Sequence, residues 1–277
     1  MIIEKHSINV PGQKTGPAQL VLYRIDNISV APDKKRPMIV ICGGGGYGMV
    51  SDREKEPIAL QFLAAGYHAC LLEYSVVPNV FPTAAMELGS AVALIRDHAD
   101  EWNIDPQKII TCGFSAGGHL AASLGVFWTK EFIFGPLGRK AEEIRPNGQI
   151  LCYPVITSGE YAHRDSFVKL LGDKCEDEEQ LELVSLEKQV TADVPITFLW
   201  HTVTDQAVPV ENSIRFAQAL HSHGVNFEMH FYPLGGHGLS LANEETSSKD
   251  LTELEPYCIG WIGLAKAWLE LNFSIAK

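Results

Sequence analysis

The sequence predicts an α/β protein: a mostly parallel, twisted sheet of about eight strands, an antiparallel N-terminal edge, and helices on both faces. Three observations carry this expectation. Short apolar runs without alternation, such as Pro37-Met38-Ile39-Val40-Ile41, suit strands covered on both sides. Segments with helical spacing of apolar residues alternate with these runs. Two strand-like segments at the start, residues 1–10 and 19–25, flank a Pro11-Gly12 turn and form the antiparallel edge.

The elements follow in order. Residues 56–65 have helical spacing and stop at Gly66, and residues 67–74 return as a strand. A helix runs from Pro82 to about His98, with Met86, Leu88, Val92, Leu94 and Ile95 as its apolar face. Lys108-Ile109-Ile110 is a buried strand, and Leu120-Ala121-Ala122-Ser123-Leu124 begins the next helix. Strands at 149–153, 195–200 and 226–232 follow, with a helix over 210–223. A last helix covers 258–271, with Trp261, Leu264 and Trp268 at core spacing. Residues 157–190 break the rhythm with charge and short helical fragments. They are a candidate small cap or lid, with a solvated connection as the alternative. The whole chain, 1–277, reads as one domain.

Bulk properties narrow the function classes. The net charge of −12 argues against a nucleic-acid-binding face. The N-terminus lacks a basic-then-apolar leader, and no apolar stretch is long enough to span a bilayer, so a cytoplasmic protein without membrane partners is expected. Oligomeric state stays open, a homodimer included. Cys42, Cys70, Cys112 and Cys152 lie in or beside strands, and none of the six cysteines pairs at metal-ligand spacing. Buried, reduced thiols are expected, with neither metal nor cofactor.

The chemistry concentrates around Gly113-Phe114-Ser115-Ala116-Gly117. A strand, a tight turn with Ser between two glycines, then a helix is the context of a nucleophile elbow. The plain alternative is a serine capping a glycine-rich helix start. A Ser hydroxyl needs a base, usually an oriented His. Among ten histidines, His237 stands best, in the Gly-rich loop after the last strand. His119 belongs to the helix after the elbow, and His201 ends a strand and could line the pocket. Asp205 lies past a strand and before a helix, where an acid partner belongs, though Asp also favours turns and N-caps there. Asp193 precedes its strand and falls at the opposite sheet edge. The run Gly43-Gly44-Gly45-Gly46 offers N–H groups to a developing oxyanion, one or two of them acting with the N–H of Ala116. A phosphate loop is the rival reading, but the P-loop lysine is missing.

Together these residues resemble the α/β-hydrolase superfamily. The chain looks similar to small bacterial esterases of the acetylxylan-esterase-like and hormone-sensitive-lipase-like (BD-FAE-type) group. The matching blocks are Ile41 to Gly48, Glu73-Tyr74-Ser75-Val76-Val77-Pro78, Cys112 to Ala122, Leu199 to Pro209, and His237-Gly238. The resemblance implies an α/β-hydrolase fold with a small or absent cap. It implies Ser115 as nucleophile, Asp205 as acid and His237 as base. The family's His-Gly-Gly-Gly-aromatic block aligns with Tyr47 at the aromatic position, which makes Gly45 and Gly46, with Ala116, the oxyanion donors. Gly43 stands where that block has its leading His. The expected activity is cleavage of short-chain carboxylic esters, O-acetyl groups of sugars among them, in a shallow pocket. An arylformamidase or a small amidase or peptidase is the alternative with the same triad. A non-catalytic binding protein on a hydrolase scaffold is the alternative of another class.

Overall fold

The computed structural model describes residues 1–275. Eight strands form one sheet: β1 (Ile2–Ile8), β2 (Ala18–Arg24), β3 (Arg36–Cys42), β4 (His68–Glu73), β5 (Ile104–Phe114), β6 (Gly148–Cys152), β7 (Ile196–Thr202) and β8 (Phe227–Tyr232). Their spatial order is β1-β2-β4-β3-β5-β6-β7-β8. β1 pairs antiparallel with β2, and β2 with β4. Every later pairing is parallel. The helices are α1 (Glu56–Ala64), α2 (Thr83–Asp97), α3 (Ala116–Phe127), α4 (Glu131–Phe134), α5 (Ala141–Ile144), α6 (Arg164–Leu171), α7 (Glu178–Leu183), α8 (Glu211–Ser222) and α9 (Trp261–Phe273). None is long and apolar enough to cross a membrane among the described residues.

The period of two along β3 explains the layering. Met38, Val40 and Cys42 face one core with residues of α2, α3 and α8. Ile39 and Ile41 face the other, against Ile58 and Phe62 of α1 and Trp261 and Trp268 of α9. Both faces are therefore apolar, which is why this strand reads as a continuous hydrophobic run.

The strand order reverses beside β3. The chain leaves β3 toward β4 on one side and returns as β5 on the other. The C-terminal ends of β3 and β5 then lie side by side, with Ile41 opposite Cys112 and Cys42 opposite Gly113. Such a reversal opens a crevice above the strand ends. It brings the glycine run after β3 next to Ser115.

Several expected boundaries shift for identifiable reasons. β5 is longer than the apolar run 108–110, because Ile104 pairs with Arg36 before an irregularity resets the register at Met38 and Ile109. α9 begins at Trp261 rather than Cys258, and Leu264 is 38% exposed. The buried face uses Trp261, Ala265, Trp268 and Leu269, which leaves Leu264 at the edge of the stripe. Cys175 is partly exposed, unlike the other five thiols. Within 157–190, the acidic run hides a helix start: the Asp177 carboxylate accepts the N–H groups of Glu179 and Gln180 and caps α7.

Candidate active site

The elbow is built by contacts that only glycine permits. A Cβ on Gly117 would lie 2.1 Å from the Cys42 carbonyl oxygen, and one on Gly113 2.1 Å from that of Gly117. The turn can therefore press against β3. Ser115 itself has φ +53° and ψ −119°, a strained conformation for a non-glycine residue, costing roughly 1–3 kcal/mol. Three backbone hydrogen bonds hold it there: Ser115 N–H to Cys152 O at 3.0 Å, and the N–H groups of Val155 and His119 to Ser115 O at 3.1 and 3.0 Å.

The strain aims the hydroxyl at the loop after β8. Ser115 Oγ lies 2.7 Å from His237 Nε2, and His237 Nδ1 lies 2.6 Å from Asp205 Oδ2. Ser115, Asp205 and His237 thus meet in one continuous line. The Asp205 side chain is fully buried, whereas His237 keeps 22% of its side chain exposed. Asp205 Oδ1 accepts the N–H groups of Ala207 and Val208, each at 2.9 Å. Burial alone would raise this carboxyl, but hydrogen bonds from His201, His237 and Val208 N–H outweigh it and hold Asp205 well below the usual carboxylate range. The acid is therefore ionised at neutral pH. The His237 loop is tied back by Gly235 N–H to Thr204 Oγ1 at 3.0 Å and by Arg53 to Gly238 O at 2.9 Å.

His201 occupies a different place from the one expected. It is fully buried in β7 rather than lining the pocket. Its Nε2 lies 2.9 Å from Val208 O and 3.3 Å from Asp205 Oδ2, so it backs the carboxylate from behind. His119 sits wholly inside, as its helix position implied. Val184 O can only accept, so His119 Nε2 donates to it at 2.9 Å, and Nδ1 accepts the Tyr47 hydroxyl at 2.8 Å. Asp193 lies on the exposed turn before β7, away from this line.

The glycine loop is fastened at three points. Tyr74 donates to Gly43 O at 2.7 Å, Gly44 N–H donates to Glu54 Oε2 at 2.6 Å, and Tyr47 is held by His119. Gly44 packs so closely that a Cβ there would meet Ser115 Cβ at 2.9 Å. Between these fastenings Gly45 and Gly46 take φ +128° and +60° and line the cleft beside Ser115 and His237. The N–H of Ala116 stands at the N-terminus of α3, where helical N–H groups have no partner within the helix.

Glu54, Tyr153 and His163 escaped the sequence reading. Glu54 is 3% exposed; its second oxygen accepts the Tyr153 hydroxyl at 2.7 Å, and that hydroxyl accepts Ser240 N–H at 2.8 Å. In sequence it stands within Asp52-Arg53-Glu54-Lys55-Glu56, which has the look of a solvated charge run. Tyr153 also packs edge-on to the His237 ring at 5.2 Å between centroids. His163 lies in the 157–190 excursion, where no periodicity marks it, yet it lines the cleft. No group of three or more metal-ligating side chains converges among the described residues.

Comparison with known proteins agrees with this geometry. The BD-FAE family model matches residues 28–220. Endo-1,4-beta-xylanase B of Butyrivibrio fibrisolvens is 41% identical over 218 residues, 77% of this chain and 34% of that protein. An acetylxylan esterase of Xylanibacter ruminicola is 30% identical over 233 residues, 82% of this chain and 44% of that protein. The chain thus spans less than half the length of these two curated relatives. Among solved structures, the carboxylesterase Cest-2923 from Lactobacillus plantarum WCFS1 superposes with a TM-score of 0.86 at 31% identity, covering 98% of both chains. An acetyl ester-xyloside bifunctional hydrolase from Caldicellulosiruptor lactoaceticus gives a TM-score of 0.81 at 37% identity, over 94% of this chain and 90% of that one. The sheet order, the strained serine turn and these matches together assign the α/β-hydrolase fold, and the chain belongs to the BD-FAE family.

Proposed function

We propose that this chain is a serine carboxylester hydrolase acting on short acyl esters, with acetylated sugars as the leading substrate class. The observation that carries the reading is the hydrogen-bonded line from Ser115 Oγ through His237 to Asp205. In this mechanism Ser115 Oγ attacks the ester carbonyl carbon and its proton passes to His237 Nε2. The ionised Asp205 holds the Nδ1 proton in place and stabilises the imidazolium. The carbonyl oxygen, now negative, turns toward the N–H groups of Gly45, Gly46 and Ala116. The tetrahedral intermediate collapses, the alcohol departs with the proton from His237, and an acyl-enzyme remains on Ser115. Water, deprotonated by His237, then releases the acid and restores the serine.

The named relatives support acetyl esters of xylan-type sugars as substrates. Residues 157–190 form a small cap within one domain in this reading, which His163 supports by lining the cleft. A fluorophosphonate should label Ser115, read by peptide mass mapping. Turnover of p-nitrophenyl esters of rising chain length, beside acetylated xylo-oligosaccharides and N-formylkynurenine, ranks the substrate classes. Labelling at another residue, or a preference for long acyl chains, contradicts the proposal.

A further inference from the structure

The cleft beside Ser115 has a polar wall that the triad and the glycine loop leave unused. Its lining is built from glycine backbone and from side chains of Ser, Arg, Glu and His; Met49 is the one apolar side chain among the described lining residues. Of the polar groups, Arg53 and Glu54 are committed to backbone and tyrosine partners. His163 is committed at one nitrogen only.

His163 stands immediately before α6, and its Nδ1 lies 2.8 Å from Ser166 Oγ. Ser166 is buried, so this bond fixes the ring plane. The other ring nitrogen, Nε2, has no hydrogen-bond partner among the described residues and is not among the buried unpartnered atoms. Cε1, the ring carbon between the two nitrogens, lies 3.9 Å from where a Gly46 Cβ would stand, beside Ser166 Oγ at 3.6 Å and Asp165 Oδ2 at 3.8 Å. The ring thus stands beside the glycine loop, in the cleft that it lines with Ser115 and His237. Burial and then the neighbouring His237 push the His163 pKa down, so the ring is neutral in the working range and offers one hydrogen bond rather than a charge.

Reaction geometry decides which part of the substrate this nitrogen meets. The oxyanion occupies the loop N–H groups, and the departing alcohol must face His237 to take its proton. A group near both Gly46 and His237 borders the alcohol. We propose that His163 is a specificity-determining residue on the leaving-group side, whose free ring nitrogen binds a hydroxyl on the substrate alcohol next to the ester. The site then selects acetyl esters of polyhydroxylated alcohols, sugars above all, over esters of simple alkyl alcohols. This rests on the reading of Ser115 as the nucleophile.

The test holds the acyl group constant and varies the alcohol. Glycerol monoacetate and acetylated xylobiose carry a neighbouring hydroxyl; ethyl acetate does not. The parent should favour the hydroxylated esters in kcat/KM. In His163→Ala that preference, taken as the ratio to ethyl acetate, should fall roughly 10–100-fold, the worth of one hydrogen bond to a substrate hydroxyl. His163→Gln keeps an amide at the site and should restore part of the ratio. A parent without preference overturns the proposal, as does an unchanged ratio or an equal loss on both alcohol classes in His163→Ala. Failure of the underlying reading looks different: the parent itself turns over no ester and takes no fluorophosphonate on Ser115.

Discussion

Glu54 joins the two loops that flank Ser115: one carboxylate oxygen accepts Gly44 N–H at 2.6 Å, the other the Tyr153 hydroxyl at 2.7 Å. Through Tyr153 the link reaches Ser240 N–H, three residues beyond His237. A buried carboxyl with both oxygens engaged ties the glycine loop, through Tyr153, to the loop that carries His237. Loops positioned this way need no reorganisation during the reaction.

Glu54→Gln tests that link. Glutamine accepts at one oxygen only, so either Gly44 or Tyr153 loses its acceptor and meets an amide N–H instead. We expect kcat to fall roughly 10–100-fold with KM within about threefold, a loss confined to the transition state. Tyr153→Phe, which removes only the far half of the link, should cost less. Steady-state kinetics on p-nitrophenyl acetate decide this; parental kcat in folded Glu54→Gln would contradict the role.

Asp205→Asn keeps the shape of the acid but favours the wrong tautomer of His237. The comparable change in a serine protease lowers turnover about 10⁴-fold, so a loss on the order of 10²–10⁴ in kcat is expected here. Asp193 and Glu211 lie outside the hydrogen-bonded line. Asp193→Asn and Glu211→Gln should stay within roughly tenfold of the parent. Near-parental turnover in Asp205→Asn, beside collapse in either of the others, would reassign the acid.

Gly117→Ala probes the elbow's packing. Its Cβ would stand 2.1 Å from Cys42 O and 2.5 Å from Gly43 O, both backbone atoms of β3 and its loop. Neither can yield without moving the sheet. We expect a loss of about 3 kcal/mol or more, read as a lowered thermal midpoint or failure to fold. A variant as stable as the parent would mean that the elbow does not press on β3 as described.

Two buried imidazoles make stability depend on pH. Burial and the charges of Arg36 and Arg24 push His68 down to about 4; burial pushes His119 down to about 4 against its bond to Val184 O. Each lies below the unfolded value of about 6.5, so the unfolded chain binds more protons between those limits. Their stabilising share is present in full above about pH 6.5 and is lost as pH falls toward 4, on the order of 3 kcal/mol each. Asp205 adds a further loss at lower pH, as its depressed carboxyl becomes protonated. Thermal midpoints should fall across pH 6.5 to 4.5, and His119→Gln, which cannot titrate, should show a shallower slope. A flat parental profile, or an unchanged slope in the variant, counts against this.

Local chain chemistry made much of this protein legible in its sequence. Apolar runs without alternation mark strands covered on both faces, because a polar residue there would lose its water on either side. Gly113 and Gly117 mark the elbow, because no other residue fits between β5, α3 and β3. Ser115, Asp205 and His237 each follow a strand, so a parallel sheet carries all three to one edge, whatever the details of packing.

Tertiary structure decided what surrounds them. Glu54 and Tyr153 are 99 residues apart, and a carboxylate in a charge run gains a buried role only when the loops close over it. His201 looked like a pocket residue because strand periodicity says which face a side chain takes, not what covers that face; α8 supplies Ser213, 2.7 Å from Nδ1, and seals it inside. The excursion over 157–190 reads as irregular because its helices are short: α6 has eight residues and α7 six, and of the two only α7 is capped by a side chain, that of Asp177. Its placement of His163 at Gly46 follows from packing against the glycine loop, a contact between segments more than a hundred residues apart in the chain that no local spacing encodes.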